Sequence, residues 1–386
     1  MMAGTQPLFF VPPVRIQFRL GFGCAKLREQ GGNLGRIIRA TSGKTLTTTP
    51  VFDSYWRFAA ARQDLFMRRI RGEPPPWTTD PIIAAHRFTN AYRAADRVSQ
   101  YLIRNVIYEG DTSAEEVFFR TILFKLFNRI DTWKLLVEQL GETPSWRDFE
   151  FERYARVLDS AYARGSRLYS AAYIMPSPPF GNARKHRNHL HLLDRMMRDG
   201  APLRVGRASS LQGVYEILRG YPSLGDFLAF QFAIDLNYSE IVDFSEMSFV
   251  VAGPGARDGV AKCFSDTSGM TEAEVITHIA ATAAEEFSRL GLQFQKLGGK
   301  RPLQLIDCQN LFCEVSKYAR VAHPEFYGAS GRTRIKQKFS ANYAALPQFY
   351  PPKWGIVVAE ETKNPSSPEQ LSDVSQLSLS FVHPAG

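Results

Sequence analysis

Phe249-Val250-Val251-Ala252-Gly253-Pro254-Gly255-Ala256-Arg257-Asp258-Gly259-Val260-Ala261-Lys262 and Leu303-Gln304-Leu305-Ile306-Asp307-Cys308-Gln309-Asn310-Leu311-Phe312-Cys313-Glu314 are the two most informative stretches of this sequence. The first runs from apolar residues into a tight turn and then a helix start. Gly253 and Gly255 are free to take positive φ and to let backbone approach a ligand, and Pro254 stiffens the bend between them. Such a turn presents backbone N–H groups to an anion, most often a phosphate. Gly253, Gly255, Ala256, Gly259 and Lys262 are the residues that would make this contact; the plain alternative is a turn with no ligand. The second stretch sets one carboxylate, Asp307, directly after Leu305 and Ile306. Polar Gln309 and Asn310 follow, on a helix continuing to Lys317 and Arg320.

Outward from these stretches, the chain of 386 residues, 44% hydrophobic, is long enough for a large core or two domains. No apolar run reaches the roughly eighteen residues of a membrane span, so a membrane partner is not expected. Cys24, Cys263, Cys308 and Cys313 are scattered, against a disulfide framework and for a reducing, cytoplasmic setting. No cofactor and no metal are expected: Cys308 and Cys313 are off register for one helix face, and His186 and His189 lack a third ligand nearby. The net charge of +9 is uneven, with +6 in residues 1–48, −3 in 356–386 and +6 between them. The middle is modestly basic, compatible with nucleic acid.

Residues 1–48, rich in Gly, Thr and Arg, read as a flexible basic extension or an over-long start. Ser42-Gly43-Lys44-Thr45 lacks the glycine a phosphate loop needs, since position 38 is Ile, and a P-loop is rejected. Val51 to Gly72 reads as an amphipathic helix with Tyr55, Trp56, Phe58, Leu65, Phe66 and Ile70 on one side and Arg62 elsewhere, stopped by Pro74-Pro75-Pro76. A second helix is expected from Thr79-Asp80-Pro81 to about Tyr108, carrying Arg87, Asn90, Tyr92, Arg93 and Arg97 on one rod. Further helices are expected over 114–127, 133–140, 149–165 and 211–219, and one clean helix over 271–290. Residues 181–207 are the densest basic stretch, suited to solvent or phosphate. Asp235 and Asn237 end a buried-looking helix, an unusual place for a charge. The sum is an all-α, multi-helix globular body over 49–340 with few or no strands, and a largely disordered tail over 341–386.

Several blocks carry a likeness. Tyr55-Trp56-Arg57-Phe58, Pro76–Ile82, Phe88–Gln100, Phe124–Asn128, Asp235–Ser239, the Gly253–Gly259 turn and Asp307–Glu314 resemble, in that order, the phage and bacterial DNA base-hypermodification family. That family comprises the helical domain of 5-hydroxymethyl-deoxyuridine DNA kinases and related glutamyl/putrescinyl-thymine pyrophosphorylases. The order of glycine turn, apolar pair and Asp also resembles the helix-hairpin-helix DNA glycosylases, with an extra helix between turn and acid. The resemblance implies a glycosylase-like core, double-stranded DNA bearing a modified pyrimidine as partner, and a possible separate kinase for the hydroxymethyl base. It implies a transferase that flips out the pyrimidine and processes or replaces an activated, phosphorylated 5-hydroxymethyl group. Asp307 would be the general base by analogy, with Asp235 as runner-up and Lys317 tuning either. Arg87, Asn90, Tyr92, Arg93, Arg97, Asn237, Tyr238, Gln309 and Asn310 would line the base or phosphate pocket. Two alternatives stand beside this: a glycosylase releasing a modified base, and a non-catalytic DNA-binding module.

Overall fold

The computed structural model describes residues 35–40, 42–339 and 348–358. Among them the elements run β1 (Ile37–Arg39), β2 (Thr45–Thr48), α1 (Pro50–Ile70), α2 (Pro81–Ala85), α3 (Arg97–Leu102), α4 (Ala114–Phe127), α5 (Ile130–Leu140), α6 (Phe151–Ala163) and α7 (Lys185–Arg198). They continue α8 (Ala201–Gly206), α9 (Leu211–Arg219), α10 (Asp226–Leu236), α11 (Pro254–Cys263), β3 (Phe264–Asp266), α12 (Glu272–Ala281), α13 (Ala283–Arg289) and α14 (Leu305–Ala322). The body is all-α, as expected, with one small sheet.

That sheet uses part of the stretch read as an extension. β1 pairs antiparallel with β2, Ile38 opposite Leu46, and β2 pairs antiparallel with β3, Thr48 opposite Phe264. Gly43, at φ 81°, turns the hairpin, so the Ser42–Thr45 segment is a strand connection. The earlier part, through residue 34, lies outside the described residues, as do 340–347 and 359–386.

Local chemistry places the helix starts. Thr49 caps α1, accepting from the Val51 N–H at 3.2 Å, with Pro50 in the first turn. Asp80 caps α2, accepting from Ile82 and Ile83. Thr271 and Glu274 form a capping box on α12. Along α1 the expected aromatic face is buried, but Ile70, its last residue, is 41% exposed, and Arg62 is buried, donating to the Thr89 carbonyl and Asn90 Oδ1.

Two helices are buried on all sides and form the centre: α4 and α10 have nearly every residue buried, charged ones included. α11 and α14 pack together so closely that backbone meets backbone. A Cβ on Gly259 would sit 2.0 Å from the Phe312 carbonyl oxygen, and one on Gly255 would sit 2.3 Å from Cys313 Sγ. The rod expected over 81–108 and the helix expected over 271–290 are both interrupted. α2 ends at Ala85; then come extended residues, a 3-10 turn at Arg93–Ala95, α3, and a π-helical turn at Ile103–Ile107. Side chains capture the backbone that would otherwise continue the helix: Asp96 accepts from the Asn90 N–H, and Asp307 from the Arg93 N–H. The 271–290 stretch breaks at Thr282, whose hydroxyl bonds back to the His278 carbonyl.

Candidate functional site

The C-terminal part of α4, the C-terminal half of α10, the start of α14 and the 3-10 turn at Arg93 converge on one buried polar cluster. Asp235, fully buried on α10, lies 2.8 Å from Arg93 Nη1 and 3.0 Å from Lys125 Nζ of α4. Arg93 Nε donates to Gln231 Oε1 at 3.0 Å and Nη1 to the Tyr238 hydroxyl at 3.0 Å. Lys125 donates to Asn128 Oδ1, and its ammonium lies 4.9 Å from the centre of the Tyr173 ring. Gln231 Nε2 approaches Gln309 Oε1 at 3.5 Å, and Tyr173 donates to Gln231 Oε1 at 3.3 Å.

Electrostatics sharpen the cluster. Burial pushes the Asp235 carboxyl up, but the Arg93 and Lys125 charges outweigh it and hold it below the usual carboxylate range. Burial lowers the Lys125 amine to about 8, against the pull of Asp235. Each Asp235 oxygen is thus held by one cation, Oδ1 by Arg93 and Oδ2 by Lys125.

The cluster is closed on the outside by aromatic rings. Half-buried Tyr173, in the irregular segment between α6 and α7, packs against Phe227 with the rings tilted by 31° and centroids 5.8 Å apart. Phe227 in turn lies under Gly253, where a Cβ would meet its ring at 2.5 Å. Gly253 has φ −71° and ψ 168°, ordinary extended backbone, and neither Gly255 nor Gly259 has positive φ. The expected tight turn is therefore corrected: residues 237–253 run irregularly into α11, and the glycines are required by close approach. Ala256 is fully buried, and Lys262, 2% exposed, donates to the Ser316 carbonyl at 2.9 Å.

Asp307 lies two residues before Gln309 on α14 and is 4% exposed. Its Oδ1 accepts from the Arg93 N–H at 2.8 Å and its Oδ2 from the Gln304 N–H at 3.0 Å. It thus fixes the turn that aims Arg93. Burial, with Glu246 adding to it, raises its carboxyl to about 7 against the pull of those two N–H groups and Arg301. The folded value exceeds the unfolded one, so the native state binds the extra proton and the resulting stability is present at low pH. It is lost as pH rises through about 7. In urea unfolding from pH 5 to 8, stability is expected to fall by up to about 1.4 kcal/mol per pH unit from this group, and Asp307→Asn is expected to flatten that slope; an equal slope in both proteins would contradict it.

The other expected residues are dispersed. Arg87 and Arg97 are exposed, and only Arg93 of the three turns inward. Tyr92 is buried with its hydroxyl on the Arg301 carbonyl, and its ring faces Phe294. Asn90 ties down the Ala95 carbonyl, and Asn237 bonds the Phe244 backbone in both directions. Asn310 donates to Thr89 Oγ1, whereas Lys317 pairs with Glu314 at 2.8 Å and the Arg87 carbonyl. His186 and His189 are occupied by Asp159, Tyr169 and the Pro176 carbonyl. Sequence reasoning missed Lys125, whose visible signal was a charge inside the apolar run Ile122–Phe127, whereas Tyr173 was expected as a ring that could stack on the base.

The fold and cluster define a helical protein with a buried cation–carboxylate site, and comparison with known proteins makes this specific. A model of the family described as "5-hmdU DNA kinase, helical domain" matches residues 49–328, and the chain belongs to that family. A relative, the 5-hmdU DNA kinase of Bacillus phage SP10, is 27% identical over 291 residues. The match covers 70% of this chain and 45% of the relative, so the chain spans less than half of that protein's length. No solved structure matches. Every sequence block that carried the resemblance falls inside the matched residues. Among the described residues no helix is long and apolar enough to cross a membrane.

Proposed function

We propose that this chain acts on DNA containing 5-hydroxymethyluracil, taking the modified base, turned out of the duplex, into the Arg93–Lys125–Asp235 cluster. There it processes or replaces a phosphorylated 5-hydroxymethyl group. The observation that carries this reading is the convergence of two buried cations, Arg93 and Lys125, on the one carboxylate of Asp235. The relative's name supplies the substrate class.

In this reading the bond between the 5-methylene carbon and the phosphate oxygen breaks, and the electron pair leaves with the phosphate. Arg93 and Lys125 stabilise that growing negative charge in a site shielded from bulk solvent. An amine or water forms the new bond to the methylene carbon, and its proton passes to Asp235. Asp307 acts one step away, by positioning Arg93 through its backbone. Tyr173 and Phe227 must part to admit the base, and their rings then offer it a stacking surface. A separate kinase, or the further length that the relative has, would supply the phosphate.

A second reading, release of the base, draws on the Lys125 amine lowered to about 8 beside a carboxylate, a suitable nucleophile. One experiment separates the two. A duplex carrying one phosphorylated 5-hydroxymethyl-deoxyuridine is incubated with the protein and an amine, and its nucleosides are analysed by mass spectrometry. The proposal expects loss of phosphate with the glycosidic bond intact; free base would replace it by the second reading.

A further inference from the structure

A cleft of about 430 Å³ lies beside α7, lined by residues 162, 166–170 and 183–186. Its charged lining is Arg167, Arg184 and Lys185, with buried His186 and no carboxylate. The nearest acids, Asp159 and Glu152, already pair with His186 and Arg187. Elsewhere on α7 the exposed arginines are matched: Arg195 with Asp199 and Arg198 with Asp194. The cleft cations instead lie against rings or backbone. Arg184 sits 4.5 Å from the centre of Tyr162, Lys185 4.3 Å from that of Tyr169, and Arg167 donates to the Tyr169 carbonyl. Ser166 and Ser170 add hydroxyls, and α7 starts at Arg184 without a side-chain cap. Unmatched cations, hydroxyls and ring faces in one concavity are the chemistry of a phosphodiester site with a base or sugar beside it.

The cleft also connects to the buried cluster. The Ser170 N–H bonds the Phe127 carbonyl, two residues beyond Lys125, and Tyr173 follows three residues later in the same segment. We propose that this cleft is a second DNA-binding subsite, holding a backbone phosphate of the strand whose base enters the Arg93–Lys125–Asp235 cluster. The segment that lines it carries Tyr173, so the strand and the ring that covers the base are held by one piece of chain. This inference rests on the reading of the protein as DNA-acting and adds where the strand lies.

The test is the salt dependence of binding to a fluorescent duplex. Arg167 and Arg184 are both exposed, so Arg167→Gln/Arg184→Gln removes two charges and only surface contacts, with the buried core left intact. Arg39→Gln/Lys44→Gln, on the small sheet, removes the same charge elsewhere. The cleft variant is expected to lower the slope of log K against log salt by about 1–2, since each phosphate contact contributes about 0.9, and to weaken binding about tenfold. The sheet variant should match wild type. DNA binding with an unchanged slope in the cleft variant, or an equal loss in the sheet variant, would overturn the subsite alone. Failure of the wild-type protein to bind DNA at all would overturn the DNA reading with it.

Discussion

Asp235→Asn is expected to lower the unfolding free energy by roughly 3–5 kcal/mol, the usual cost of removing one partner from a buried charge pair. The size of the side chain hardly changes, so the effect is electrostatic. Arg93 and Lys125 are both almost fully buried, and Asp235 is the carboxylate in ionic contact with both. With its charge gone, the Lys125 amine loses the interaction that offsets its desolvation and gives up its proton at lower pH. Adding Lys125→Met to the same chain removes one stranded cation and should recover part of the loss. Urea unfolding of the single and double variants measures both effects. A loss below about 1 kcal/mol for Asp235→Asn would mean that water or rearrangement already compensates these charges.

Gly259→Ala is expected to cost about 1–3 kcal/mol or more, because the added methyl meets main chain and not a movable side chain. Its Cβ would lie 2.0 Å from the Phe312 carbonyl oxygen and 2.6 Å from the carbonyl carbon, so α11 and α14 must separate. Gly255→Ala should cost less, since the closest atom is the Sγ of Cys313, which can rotate. Thermal unfolding of the two variants ranks them. The opposite ranking would show that α11 and α14 do not pack backbone to backbone at Gly259. The comparison also distinguishes packing glycines from a phosphate-gripping turn: in the latter case Gly253 and Gly255 variants would keep their stability and lose DNA binding.

How far the sequence carried this picture depends on the kind of signal. Helices with a clear cap and an apolar face, such as α1 and α12, were legible because both cues are local. The break after Ala85 was not, because the backbone there pairs with residues more than two hundred positions away: His86 bridges Lys338, the Arg87 N–H donates to the Gln337 carbonyl and the Thr89 N–H to Glu314. The partnership of Arg93 with Lys125 was hidden for another reason: one follows a loop and the other lies in a run of Phe, Ile and Leu that reads as core. Asp235 was noticed as a charge in an apolar helix, but its two counter-charges could not be named without the fold. The glycines of α11 were noticed for the wrong physical reason. Glycine serves both positive φ and close approach, and only the facing backbone of Phe312 tells the two apart.

The role proposed for the Arg93–Lys125–Asp235 cluster is to receive the phosphorylated 5-substituent of a flipped pyrimidine. The nucleoside analysis described above tests it most directly when wild type and Lys125→Met are run side by side. Wild type is expected to convert the phosphorylated nucleoside, and Lys125→Met to do so at least about 100-fold more slowly, the scale of losing one charge-stabilising group, while remaining folded. Conversion at the same rate in both proteins, or none by wild type, would contradict it.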